Sequence, residues 1–252
     1  MSSKNIKERL ESEENSDEVL AIDDETVVLQ EEKEDNLLIP RDEYLSHGIH
    51  IGTKLKTAHS EKWIYRTTSY GLYVIDLTAT DDRVRIAGKF LASFDPDRIM
   101  VCSVRRYGRA PVKAFCKVTG AKALAERFIP GTLTNPMIDQ FSEADVLIMI
   151  DPHADKQALA EARLARIPVV SFIDTDDYLY NIDLAIPSNN RGRKSLSKML
   201  WILARQIMRE RGKIAPDGDI ELSVEDFESK IQRSVSAETE NYNEKKKKHG
   251  KV

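Results

Sequence analysis

Val146-Leu147-Ile148-Met149-Ile150-Asp151-Pro152-His153-Ala154-Asp155-Lys156-Gln157-Ala158-Leu159-Ala160-Glu161-Ala162-Arg163-Leu164-Ala165-Arg166-Ile167-Pro168-Val169-Val170-Ser171-Phe172-Ile173 decides the fold. The first five residues form an unbroken apolar run, and Asp151-Pro152 stops it. Asp155 to Arg166 is rich in alanine and reads as a helix. Pro168 then opens a second apolar run, Val169 to Ile173. Strand, helix and strand at this spacing make a βαβ unit. A strand apolar at consecutive positions is buried on both faces, which is the mark of a parallel sheet covered by helices.

Working outward, the alternation continues. Tyr73 to Leu77 reads as a short strand, and Thr80-Asp81-Asp82 as the cap and acidic first turn of a helix running towards Phe94. Asp95-Pro96-Asp97 is a turn before the strand Ile99 to Val104. Pro111 suits the first turn of a helix that ends before Gly120. Ile182 to Ile186 adds a strand, and Ser195 to Arg211 a long helix with Leu196, Met199, Leu200, Leu203 and Ile207 on one face. Gly212 is placed to end it. Ser223 to Phe227 resembles a short serine-capped helix. The expectation is an α/β protein in three α/β/α layers around a mostly parallel sheet of about five strands.

Charge divides the 252 residues into three regions. Residues 1–35 hold four basic and thirteen acidic residues, a net of −9, and read as a disordered acidic tail. Residues 36–212, the expected core, carry 26 basic and 20 acidic residues, a net of +6. Residues 213–252 hold eight basic and nine acidic and read as a charged extension ending in Lys245-Lys246-Lys247-Lys248. A basic body between polar tails points to a polyanionic partner, which the whole-chain net of −4 conceals. Cys102 and Cys116 suit reduced core thiols, since neither their number nor their spacing fits a disulfide framework or zinc. The acidic start does not resemble a signal peptide, and no apolar run reaches the roughly 18 residues of a membrane span. The expected setting is soluble and intracellular.

An α/β sheet places its site at the carboxyl ends of its strands. After Val104 stands Arg105-Arg106-Tyr107-Gly108-Arg109-Ala110-Pro111, where a dinucleotide fold would have Gly-x-Gly-x-x-Gly. One glycine and three arginines suit cations meeting phosphates rather than a backbone cradle. No acid interrupts Ile99 to Ala125, while Lys113 and Lys117, four apart, share a helix face. A second cluster, Asn189-Asn190-Arg191-Gly192-Arg193-Lys194-Ser195, combines phosphate-pairing cations with a helix start; the plainer reading is a polar loop with a serine cap. In Ser46-His47-Gly48-Ile49-His50-Ile51-Gly52-Thr53-Lys54 the histidines lack the further ligands a metal would need. Packed or hydrogen-bonded histidines are the first reading there, and RNA-backbone contact through His50 and Lys54 the second. Phe128 to Pro136 is turn-rich, but no base stands beside Thr132 or Thr134 to activate a nucleophile. Asp151 and Asp174 follow neighbouring strands and would suit magnesium; capping by Asp155 and turn formation by Asp174 to Asp177 explain these acids more simply.

Several stretches together resemble the small-subunit ribosomal protein S-two family, in its archaeal and eukaryotic branch. They are His47 to Gly52, Tyr70 to Leu77, Phe128 to Asn135, Ile150 to Asp155 and Asp183 to Asn190, in family order within Leu37 to Gly212. The resemblance implies a flavodoxin-like sheet, a place on the solvent side of the small subunit between head and body, and no catalysis. Bacterial members insert a helical coiled coil where this chain has only a short link, Asn135 to Ala144. The partners expected are small-subunit ribosomal RNA and neighbouring small-subunit ribosomal proteins, with no membrane, cofactor, metal or small-molecule substrate. Arg105, Arg106, Arg109, Lys113, Lys117, Arg191, Arg193, Lys194, His50 and Lys54 are the expected RNA contacts. The rival is a nucleotide- or sugar-phosphate-binding enzyme on a Rossmann-like fold, which fold alone does not separate from it.

Overall fold

The computed structural model describes residues 37–230. The acidic tail and the lysine-rich end read from the sequence lie outside the described residues.

A short helix, α1 (Arg41–Ser46), precedes an antiparallel hairpin of β1 (Ile64–Thr67) and β2 (Tyr73–Ile75). Then come α2 (Leu77–Ala92), β3 (Ile99–Cys102), α3 (Arg109–Thr119), β4 (Lys122–Leu124), β5 (Val146–Met149), α4 (Lys156–Ala165), β6 (Val169–Ile173), β7 (Leu184–Pro187), α5 (Arg193–Glu210) and α6 (Val224–Phe227). The main sheet runs β4-β3-β5-β6-β7, all parallel. Counted within that sheet, the order is 2-1-3-4-5, that of flavodoxin-like folds.

The apolar runs work as their unbroken pattern requires. Ile99, Val101, Val146, Ile148, Val170 and Phe172 point into the core under α2, α3 and α5. The alternate residues Met100, Cys102, Leu147, Met149 and Val169 face α4 and the loop carrying Phe128 and Leu133. Both cysteines are buried and free, one on each side of the sheet. Burial pushes the Cys102 thiol strongly up and the Cys116 thiol to about 12, so both stay protonated. Ile220 and Phe227, from the stretch read as a charged extension, join the larger core cluster. Trp201 Nε1 donates to Leu222 O at 2.9 Å and ties that stretch to α5.

Three local readings change. The strand at Tyr73 belongs to the hairpin, while the fifth strand of the main sheet is β4, an exposed edge strand. α2 begins at Leu77, capped by Asp76, whose carboxylate accepts from Thr78 N at 3.0 Å. Asp81, expected near the cap, is buried inside the helix and accepts from Tyr44 Oη (2.7 Å), Leu38 N (2.8 Å) and Arg85 Nε (2.8 Å). It fastens α1 and the entry of the chain to α2. At α5 the helix starts at Arg193, and Ser195 donates to Asn189 O at 2.7 Å instead of capping.

Candidate nucleic-acid interface

The switch point of this strand order lies between β3 and β5, where connections leave in opposite directions. In nucleotide-binding proteins of this fold that crevice holds the ligand. Here it is closed by the protein's own groups. Arg105 Nε donates to Asp151, which is fully buried and also accepts from His153 N (2.8 Å) and Ala154 N (3.1 Å). Asp155 stands at the helix start but caps nothing; its Oδ1 accepts from Val104 N at 2.9 Å and pins the arginine loop. Gly108 closes that loop onto the strand end, for a Cβ there would lie 2.2 Å from Ser103 Oγ. Glycine serves packing at this position, not a phosphate.

Further along the same sheet edge, Asp177 Oδ2 accepts from Asp174 N (2.8 Å) and Asn190 Nδ2 (2.7 Å). Arg191 pairs with Asp176, and its Nε lies 4.0 Å from Asp174. The hairpin approach covers β6 from above: Gly52 N donates to Tyr73 O (2.9 Å), Thr53 N to Thr175 Oγ1 (3.0 Å) and Thr57 N to Thr175 O (3.0 Å). Burial pushes the Asp174 carboxyl up to about 7 and those of Asp155 and Asp177 to about 6, with nearby carboxylates adding to the effect. Among the described residues no group of three or more His, Cys, Asp or Glu is arranged to hold a metal ion.

Outside the crevice lies a different surface. α3 and α5 pack side by side over the core, and both follow carboxyl ends of parallel strands, so they begin at one edge. Ser229 joins them: its Oγ donates to Tyr107 O at 3.1 Å, and its carbonyl accepts from Arg193 Nη1 at 3.2 Å. The arginine loop and the α5 cluster therefore form one shelf. Arg106, Arg109, Lys117 and Lys194 are exposed there and form no ion pair among the described residues. Lys113, also exposed, approaches Glu126 only at 3.8 Å. Arg193 is held by Glu228 at 3.0 Å. Asp226 accepts from the Ser223 amide and hydroxyl, and those bonds, with Lys230 and Lys117 nearby, hold its carboxyl below the usual range.

The ten expected contacts thus fall into three groups. Arg105, Arg191 and Arg193 bind the protein's own carboxylates. Arg106, Arg109, Lys113, Lys117 and Lys194 share the shelf. His50 and Lys54 belong to the segment that Asn189 ties to the α5 cluster, its N and Nδ2 donating to Ile49 O and Gly48 O at 3.0 Å each: Lys54 is exposed, while His50 lines a cavity of about 370 Å³ with Arg41, Tyr65, Arg66 and Asp76. Burial and Arg66 hold the His50 ring below its ordinary pKa, so it stays neutral. The turn-rich segment at Phe128 is likewise structural. Glu161 of α4, buried, accepts from Gly131 N (2.7 Å) and Leu133 N (3.2 Å). The sequence reading missed Ser229, and with it the union of two clusters about 85 residues apart into one surface. It had no signal: a serine between Glu228 and Lys230 looks like any polar linker.

Fold and site together define a flavodoxin-like α/β body with a self-filled switch point and a basic shelf beside it. The family model described as "Ribosomal protein S2" matches residues 137–210. "Small ribosomal subunit protein uS2" of Staphylothermus marinus is 49% identical over 197 residues, 78% of this chain and 90% of its own length. The proteins of that name from Thermofilum pendens and Ignicoccus hospitalis are 46% and 47% identical, over 79% and 80% of this chain and 92% and 96% of their own. This chain belongs to the ribosomal protein S2 family, in its archaeal type.

Proposed function

We propose that this protein is a structural constituent of the small ribosomal subunit that binds subunit rRNA through the basic shelf and supports subunit assembly and translation. Arg106, Arg109, Lys113, Lys117 and Lys194 neutralise phosphates, and counterion release supplies much of the affinity. Recognition is of RNA backbone and shape, because side chains reach A-form base edges poorly. Arg105, Arg191 and Arg193 hold the loops that present these cations, and Lys54 offers a secondary contact near His50. The partners are rRNA and neighbouring small-subunit proteins, in the cytoplasm. Among the described residues no helix is long and apolar enough to cross a membrane.

The observation that carries this reading is the joining of two cationic clusters across Ser229, with Arg106, Arg109, Lys117 and Lys194 exposed and forming no ion pair among the described residues. The names of the relatives agree with it. The rival, a nucleotide- or sugar-phosphate-binding enzyme, needs room for a phosphate at the switch point. Asp151, Asp155 and Arg105 take up that place, so the reading adopted is non-catalytic. Sedimentation of cell extract tests it: the protein should travel with small subunits at low salt and leave them as salt is raised. Finding it free of ribosomes at low salt in growing cells would overturn the reading.

A further inference from the structure

The other face of the sheet carries a surface that the shelf does not use. Between β6 and β7 the chain crosses beside α4 without forming a helix. It ends where Asp183 N donates to Val169 O (3.0 Å) and the Asp183 carboxylate accepts from Val169 N (2.8 Å). Leu179 and Ile182 turn inward to pack with Trp63, Ile173 and Ala185. Tyr178 and Tyr180 turn outward, 58% and 66% exposed. Their rings stack with centroids 5.9 Å apart and 18° between planes, and His59 meets Tyr180 edge-on at 5.4 Å. Two tyrosines so exposed are ordered by one another and by His59, not by burial.

Asn181, next to Tyr180, lines a groove of about 560 Å³ against Lys156, Leu159, Arg163 and Leu164 of α4. A continuation of about 310 Å³ takes in Arg166, Ile167 and Pro168. Lys156, Arg163 and Arg166 are exposed and form no ion pair among the described residues. Asp183 is the one acid in either lining, and its carboxylate is taken by Val169 N. Flat rings, an apolar floor with Leu164 76% exposed, and a row of unmatched cations are complementary to a strand with stackable bases and a phosphate backbone. A duplex hides its base faces and cannot use the rings. A protein neighbour would use Leu164 but leave three cations unmatched.

We propose that the groove between α4 and the 178–183 crossing binds an unpaired stretch of RNA. Its bases stack on Tyr178 and Tyr180, and its phosphates follow Lys156, Arg163 and Arg166. This rests on the rRNA-binding reading above and adds a second contact, selective for single strands.

The test uses the full-length protein, a ten-nucleotide unstructured RNA and an RNA duplex, read by fluorescence anisotropy. Y178A/Y180A should weaken single-strand binding roughly tenfold or more, with the duplex affinity and melting temperature near wild type. Y178F/Y180F should restore binding, because the ring and not the hydroxyl stacks. K156Q/R163Q should lower the log–log salt slope for the single strand by roughly 0.7 for each phosphate the variant no longer neutralises. An alanine variant that binds the single strand as wild type does overturns the proposal. So does an equal loss for both RNAs with a lowered melting temperature, or crosslinks in the intact subunit that join the tyrosines to a protein instead of RNA. Wild-type protein that binds duplex but not single strand removes this inference alone. Protein that binds neither removes the rRNA reading as well.

Discussion

Arg105 and Arg106 are neighbours in the chain and belong to different regions of the molecule. Arg105 faces the crevice, where fully buried Asp151 needs a cation. Arg106 faces solvent on the shelf with no carboxylate partner among the described residues. Arg191 and Lys194 repeat the division at the other cluster: the first is held by Asp176 and Asp174, the second stands open. In each cluster one cation is paired with carboxylates of the crevice, and another is exposed with no ion pair among the described residues. The comparison shows how a crevice that holds a ligand in other proteins of this fold is filled here by the protein's own side chains. Carboxylates and arginines fill the pocket, and the same loops carry the outer charges. A cation that is already paired costs more to redirect towards a phosphate, so the proposed contact falls to the outer ones.

The largest effect should come from the crevice. R105M leaves Asp151 buried without its cation. Breaking a buried pair typically costs about 3–5 kcal/mol; the partial exposure of Arg105 and the two amides still bonded to Asp151 lower that to roughly 2–4 kcal/mol. Denaturant unfolding should show this loss. Adding D151N to R105M should recover much of it, and the double-mutant cycle gives the coupling. A loss near zero in R105M would place Arg105 with the shelf.

A smaller, pH-dependent effect belongs to Asp174. In the unfolded chain it ionises at its ordinary value of 3.8, whereas in the folded protein it titrates at about 7. The native state therefore holds more protons between these values. This contribution to stability is complete below about pH 4 and is lost as pH rises towards 7. Asp155 and Asp177, at about 6, act in the same direction. D174N keeps an oxygen for Thr175 N and removes the ionisation. Relative to wild type it should gain on the order of 1 kcal/mol or more between pH 4 and pH 7.5. Parallel stability curves for the two proteins would show that the carboxyl ionises freely in the fold.

The smallest effect on stability should come from the shelf. Replacing Arg106, Arg109 and Lys194 with serine should cost about 0.5 kcal/mol or less at each position, because each is exposed and without an ion pair among the described residues. A loss of several kcal/mol on thermal unfolding would mean that these cations too are structural.

The central architecture was legible because it is written in period and punctuation. Val146 to Ile150 and Val169 to Ile173 are unbroken apolar runs, Asp151-Pro152 and Pro168 stop and start them, and Gly120 ends α3 in the left-handed conformation at φ +82°. β4 was not legible: Lys122-Ala123-Leu124 is a short exposed edge without β-branched residues, made a strand by pairing with β3 alone. The sequence misplaces the start of α2 because acids near a helix start usually serve its dipole, and Asp81 instead serves Tyr44, 37 residues away. The site was half legible. Composition located the two basic clusters, since charge excess is a local property. It did not separate paired from presented arginines, because pairing depends on carboxylates brought from 46 residues away, as Asp151 is to Arg105.

The proposed division of labour is that the shelf meets RNA phosphates while the crevice supports it. The most direct test of that division of labour is the salt dependence of subunit-rRNA binding by wild type and by R106S/R109S/K194S, with melting temperatures from the same preparations. The account predicts a log–log slope smaller by roughly 2 to 3 in the triple variant, from about 0.7 to 0.9 for each phosphate left without its cation, and an almost unchanged melting temperature. An unchanged slope, even with weaker binding, would contradict it.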